Sequence, residues 1–168
     1  MSQSTKQHES SIPRIAGGVL LGYVALFAIV VVGLCVAYLI LGEDRVFKPG
    51  VYASTVPWMV IDMVVVFGAA YIGGMIANRV SGGERAPTIL AVIVLLLGFW
   101  IALPQLFAEP GVVASRSDGI GALEALQMAR LPMWVSLMHP FIGAVAVIVG
   151  GQDMDVVAGA PSTPGSRA

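Results

Sequence analysis

Four stretches of this chain are each long and apolar enough to cross a lipid bilayer: residues 15–41, 56–78, 88–107 and 131–150. Hydrocarbon offers no water to backbone N–H and C=O groups, so a spanning segment must satisfy them itself, and a helix does so within one stretch of chain. About 20 apolar residues in helical form cover the membrane core. The chain therefore reads as all-α, a polytopic membrane protein built as a bundle of four transmembrane helices. Its charged residues amount to 11% of the total, against about 25% in soluble domains. The first run has 27 residues without a charge, well beyond the apolar core of about 7–15 residues in a cleaved leader.

The segments between and around the runs are polar. Residues 1–13 and 152–168 read as disordered tails flanking a membrane domain over 14–151, the second tail being rich in Gly, Pro, Ser and Ala. Residues 42–54 hold Glu43, Asp44, Arg45, Lys48, Pro49 and Gly50, the chemistry of a short turn-rich loop. Gly82 and Gly83 make a tight second connection, and Pro87 suits the first turn of the next helix. The third connection is the longest. Within it residues 119–130 read as a short amphipathic helix, with Ile120, Leu123 and Leu126 on one side.

Asp62 is the one formally charged residue inside the four runs. A carboxylate in hydrocarbon is costly, so it should face protein rather than lipid. At about 100° per residue, Ala69, Gly73 and Ala77 fall within roughly 60° of it. Small residues at four-residue spacing let helix backbones approach closely, which drives association in lipid. His139 is the other ionisable group within a span, and Gly143, Ala146 and Gly150 share its side of the wheel. Both residues lie a few turns from the same end of their helices, so they are expected to point into the bundle as a buried polar pair, with Thr55 and Ser136 as further members. Pro140 should kink its helix, because it removes the bond to the Ser136 carbonyl. Gly18 and Gly22 form a further packing pair in the first span, and the third span lacks a small-residue face and should be the more lipid-exposed.

Trp58, Trp100 and Trp134 fall at one membrane level if the spans alternate, as an interfacial aromatic belt would. Lys6, Arg14, Arg79, Arg85 and Arg167 then lie on one side, and Arg45, Lys48, Arg116 and Arg130 on the other. The bias is slight. Arg79 and Arg85 bracket the shortest loop, which favours cytoplasmic termini in a cell (inner) membrane.

The rest excludes more than it assigns. No basic cluster suits nucleic acid. No nucleotide loop, zinc-protease helix or nucleophile elbow occurs. The lone Cys35 offers no intrachain disulfide and no thiolate metal site. No catalytic residue, metal ligand set or cofactor is assigned. Gly73, Gly74, Met75, Ile76, Ala77, Asn78 and Arg79 closing the second span resemble a group of uncharacterised, small four-span bacterial membrane proteins. Leu131, Pro132, Met133 and Trp134 opening the fourth span, with Gly150 and Gly151 at its end, fit the same resemblance. It implies the four-span topology and supplies no activity. The sequence thus points to a non-enzymatic accessory or structural membrane component. Its partners would be the lipid bilayer and a second copy or membrane complex met through the glycine faces. A small proton-coupled transporter or channel using Asp62 and His139 is the alternative. A haem- or quinone-binding redox subunit, with Met63, Met133 or Met138 beside His139 in the haem case, is a third.

Overall fold

The computed structural model describes residues 12–107 and 121–158. Six helices follow in order: α1 (Ile12–Leu41), α2 (Glu43–Val46), α3 (Val56–Ser81), α4 (Arg85–Leu106), α5 (Ala122–Met128) and α6 (Met133–Ala158). α1, α3, α4 and α6 are the four that are long and apolar enough to cross a membrane. The chain is an all-α, multi-pass bundle by that measure. Large apolar side chains such as Leu20, Phe27, Leu39, Val64, Leu96 and Phe141 stand exposed on its outside, where lipid rather than water must cover them.

Local chemistry sets the helix ends. Thr55 caps α3, its hydroxyl accepting from the Trp58 N–H at 3.4 Å, and Pro57 sits in the first turn, where no N–H is needed. Gly82 closes α3 in the left-handed conformation, φ 71°, with its N–H donating to the Asn78 carbonyl. That reversal, three residues before α4, turns the chain back across the membrane.

Alternating crossings make α3 and α6 parallel, and these two approach each other most closely. A Cβ at Gly74 would stand 2.1 Å from the Val147 carbonyl oxygen, and one at Gly150 would stand 2.0 Å from that of Tyr71. No residue but glycine fits either place. α1 meets the neighbouring face of α3 in the same way. A Cβ at Gly18 would lie 2.7 Å from the Ala77 carbonyl oxygen, and one at Gly22 would lie 2.7 Å from that of Gly73. The small-residue stripes on α1 and α3 therefore mesh with each other inside one chain. α4 packs mainly on α6, with Gly98 against the Pro140 ring. Leu90, Ala91, Ala70, Ala77, Ala146 and Val147 form the apolar core at the end where α3 closes.

Several expectations are corrected. The loop over 42–54 is not merely polar turn. It contains α2, and Val46, Phe47 and Tyr52 are fully buried with Tyr38 and Trp58 in a second core. Trp58, at 2% exposure, faces this core and not the lipid boundary, whereas Trp100 and Trp134 are 73% and 60% exposed. The third span is not the most lipid-exposed: 6% of the apolar window of α1 is buried, against 28% for α4. Ala91, Gly98 and Ala102, within about 40° of one another on the wheel, give α4 a small-residue face after all. Ile12 and Pro13 belong to α1, and α6 runs to Ala158 rather than ending at 150. Pro140 lies inside α6, which continues on both sides of it. The amphipathic helix in the third connection is α5, with Leu126 packed against the second core. Ile120 and Arg116 lie outside the described residues, as do the tails over 1–11 and 159–168.

Substituting Gly74 or Gly150 by Leu is expected to lower stability by about 1–3 kcal/mol or more through overpacking. Gly68→Ala, where nothing stands within 4 Å, is expected to be neutral or stabilising by up to about 1 kcal/mol. Reversible unfolding in mixed micelles would compare them.

Candidate functional site

Asp62 lies one and a half turns into α3, and His139 lies at a matching depth in the parallel helix α6. Along α3 the carboxylate falls between Trp58 of the second core and Ala70 of the first. Its side chain is 8% exposed and that of His139 is 20% exposed. Asp62 Oδ2 stands 2.7 Å from His139 Nε2. Two ionisable side chains from separate helices thus meet in the apolar region. The contact has the distance of a hydrogen bond but not its alignment, and neither atom has a hydrogen-bond partner among the described residues. It is a short polar contact, an ion pair only when the imidazole is protonated, and low surrounding polarity then strengthens the attraction. It also raises the cost of separating them, because either group alone would be buried without a partner.

The other expected members of the site divide. Ser136, 8% exposed and one turn before His139, lies on the same side of α6. Thr55 does not join them. Its hydroxyl donates to the Arg45 carbonyl while capping α3. Met133 and Met138 are about half exposed, at 49% and 45%, on the outside of α6.

Ser136 and His139 line a cavity of about 290 Å³ between α4 and α6. Gly98, Ile101 and Ala102 form its α4 wall, and Leu131 closes one end. Leu131 follows a backbone tie to the 42–54 loop. Arg130 N–H donates to the Tyr52 carbonyl at 2.8 Å, and Ser54 N–H donates to the Arg130 carbonyl at 3.1 Å. The loop after α1 and the segment before α6 are therefore joined by backbone hydrogen bonds above the site.

The packing residues singled out in the sequence are all buried, and the glycines among them make close contacts. Gly18 and Gly22 face Ala77 and Gly73 across the α1–α3 interface. Ala69 is buried at 1% exposure. Gly150 abuts the Tyr71 backbone of α3, and Gly143 faces a Val94 methyl of α4. Asn78, Gly74 and Gly151, which the sequence analysis names only for the resemblance, are contact residues as well. The Asn78 side-chain amide donates to the Gly151 carbonyl, a second polar link between α3 and α6 near their far ends. The signal was present in Asn78 itself, a polar side chain in the last turns of an apolar helix.

No family model, no curated protein and no solved structure matches this chain. The site is therefore read from its own chemistry.

A double-mutant cycle on Asp62→Ala and His139→Ala is expected to give a coupling of about 0.5–2 kcal/mol, the range for polar contacts between membrane helices. Strictly additive losses would mean that the two side chains do not support each other.

Proposed function

We propose that the protein is a non-enzymatic, structural or accessory component of a cell (inner) membrane, with both termini on the cytoplasmic side. The observation that supports this most is the Asp62–His139 contact at 2.7 Å. The ionisable side chains buried in the apolar region are engaged with each other, tying two parallel helices in register. Polar contacts of this kind specify one arrangement among several that apolar packing alone would allow. The resemblance to small four-span bacterial membrane proteins supports the same location.

Such a component acts by presenting a surface to another membrane protein or to a second copy. The glycines of α1 and α3 are used within the chain, so a partner would meet the outer face of α1 instead. Leu20, Val24, Phe27 and Val32 stand more than half exposed there. In a Cys35→Ser background, cysteines at Val24 or Phe27 are expected to give oxidative cross-links to a second copy or to a membrane partner. Uniformly uncross-linked protein across a scan of this face would sink the proposal of a partner on α1.

The cavity beside His139 favours a second reading, a small proton-coupled transporter or channel using Asp62 and His139. Imidazole changes charge near neutral pH and suits proton exchange. Proteoliposomes of the wild-type chain would then show cation or proton flux under a pH gradient, lost in Asp62→Asn. Tight vesicles with no flux above the lipid background would remove this reading.

A further inference from the structure

The parallel helices α1 and α4 touch at Gly22 and Leu90, and beside that contact they part. The gap is a groove of about 640 Å³, walled by Ile15, Val19 and Tyr23 of α1 and by Ile89, Ile93 and Leu97 of α4. Of its lining side chains only Tyr23 is not aliphatic. A small polar ligand is oriented by several polar groups that converge on it, and the lining holds no such set. The occupant must therefore be apolar along its length. α6 does not supply it, because α6 lies on the opposite side of α4, through Val94 and Gly98. Residues 1–11, before Ile12, lie outside the described residues. They carry Lys6, His8 and Glu9, and charged groups are costly to bring into hydrocarbon.

Length decides between the apolar occupants. From Ile12 to Tyr23 the groove runs roughly 16 Å along α1. The hydrocarbon core is about 30 Å thick, so this is the depth of one leaflet, roughly 15 Å. A partner helix would cross both leaflets, whereas a lipid acyl chain occupies one. Ile12 and Ile89 lie near the same end of their helices, and at that end the groove meets a charge. Arg85 opens α4 one turn before Ile89, in the row Arg85, Ile89, Ile93 and Leu97 at four-residue spacing. It is exposed. Glu84 lies about 140° from Ile89 on the wheel, against about 40° for Arg85, and so stands farther round from the groove. A guanidinium binds phosphate through paired N–H donors, and its stem can lie along apolar surface.

We propose that this groove holds one acyl chain of an anionic phospholipid, with the phosphate at Arg85. The chain gains no hydrophobic free energy on leaving bulk lipid, so retention comes from close contact along the groove and from the charge at its mouth. A net negative head is favoured over a zwitterionic one, which carries its own cation to compete with Arg85. The outer face of α1 proposed above for a protein partner is a separate surface that shares Leu20 alone with the groove. That reading is tested at Val24 and Phe27 and this one at Ala16 and Arg85, so each can fail without the other.

The test reconstitutes the full chain in vesicles of equal phosphatidylglycerol and phosphatidylcholine and releases it for native mass spectrometry. The expected result is one phospholipid kept per chain, with phosphatidylglycerol preferred by about two- to fivefold, the range for one exposed charge pair. The preference should fall to parity in Arg85→Gln. The retained lipid should be lost in Ala16→Phe, which fills the groove from its α1 wall. Phosphatidylglycerol with a diazirine in its acyl chain should also label the wild type within residues 12–23 and 89–97, and this needs no variant to fold. Labels spread evenly over exposed residues such as Val64, Phe141 and Val145 would overturn the proposal. So would equal retention of the two lipids by the wild type, or a retained lipid unchanged in a folded Ala16→Phe. Disulfide-linked dimers of a chain carrying Ala16→Cys and Cys35→Ser would put a second copy in the groove and equally reject the lipid.

Discussion

The close approach of α3 and α6 is the constraint on which the rest of the molecule depends. Two parallel helices come near enough for a carbonyl of one to occupy the space a Cβ would fill on the other, at Gly74 and at Gly150. In lipid there is no hydrophobic drive to bring helices together, so the gain comes from van der Waals contact and from polar groups that find partners. The glycines supply the first, and Asp62–His139 and Asn78–Gly151 supply the second. One polar link lies near each end of the interface. Sliding either helix by a turn would break both links at once.

The two ends of the bundle are built differently. At the end where α3 closes, alanines, Leu90 and Val147 fill a narrow core, and the connection is a glycine-terminated reversal. At the other end the helices are topped by a small folded cap. Its aromatic residues bury themselves against Tyr38 and Trp58, with the Phe47 and Tyr52 rings edge to face at 5.4 Å. Backbone hydrogen bonds tie Tyr52 and Ser54 to Arg130. That tie fixes where α6 begins, and so the depth at which Ser136 and His139 enter the bundle. A loop far along the chain from Ser136 and His139 thus sets their position.

Much of this was legible beforehand, because membrane chemistry narrows the choices. A run of about 20 apolar residues has one common fate, and an Asp or His within it has to turn inward. The Asp62–His139 geometry and the glycine positions are of that kind. What failed was the reading of direction. Ala69, Gly73 and Ala77 were grouped with Asp62 on one face, but Gly73 and Ala77 meet α1 while Gly74 meets α6. A helix wheel gives the angle of a residue but not the number of neighbours around the helix. Trp58 misled for a similar reason. Its position near a helix end fits an interfacial ring, and only the folded cap above it turns it inward.

The sequence by itself determined the number of crossings, the helical character of each and which polar groups had to be hidden, since these follow from transferring single segments into hydrocarbon. The tertiary structure alone decided that α1 is the most peripheral span, that the loop after it is a buried aromatic cap, and that a cleft opens beside His139. Those outcomes depend on which helix lies against which. The choice turns on contacts between residues far apart along the chain, such as Gly150 with Tyr71 and Tyr52 with Arg130, and composition and periodicity carry no information about such pairings.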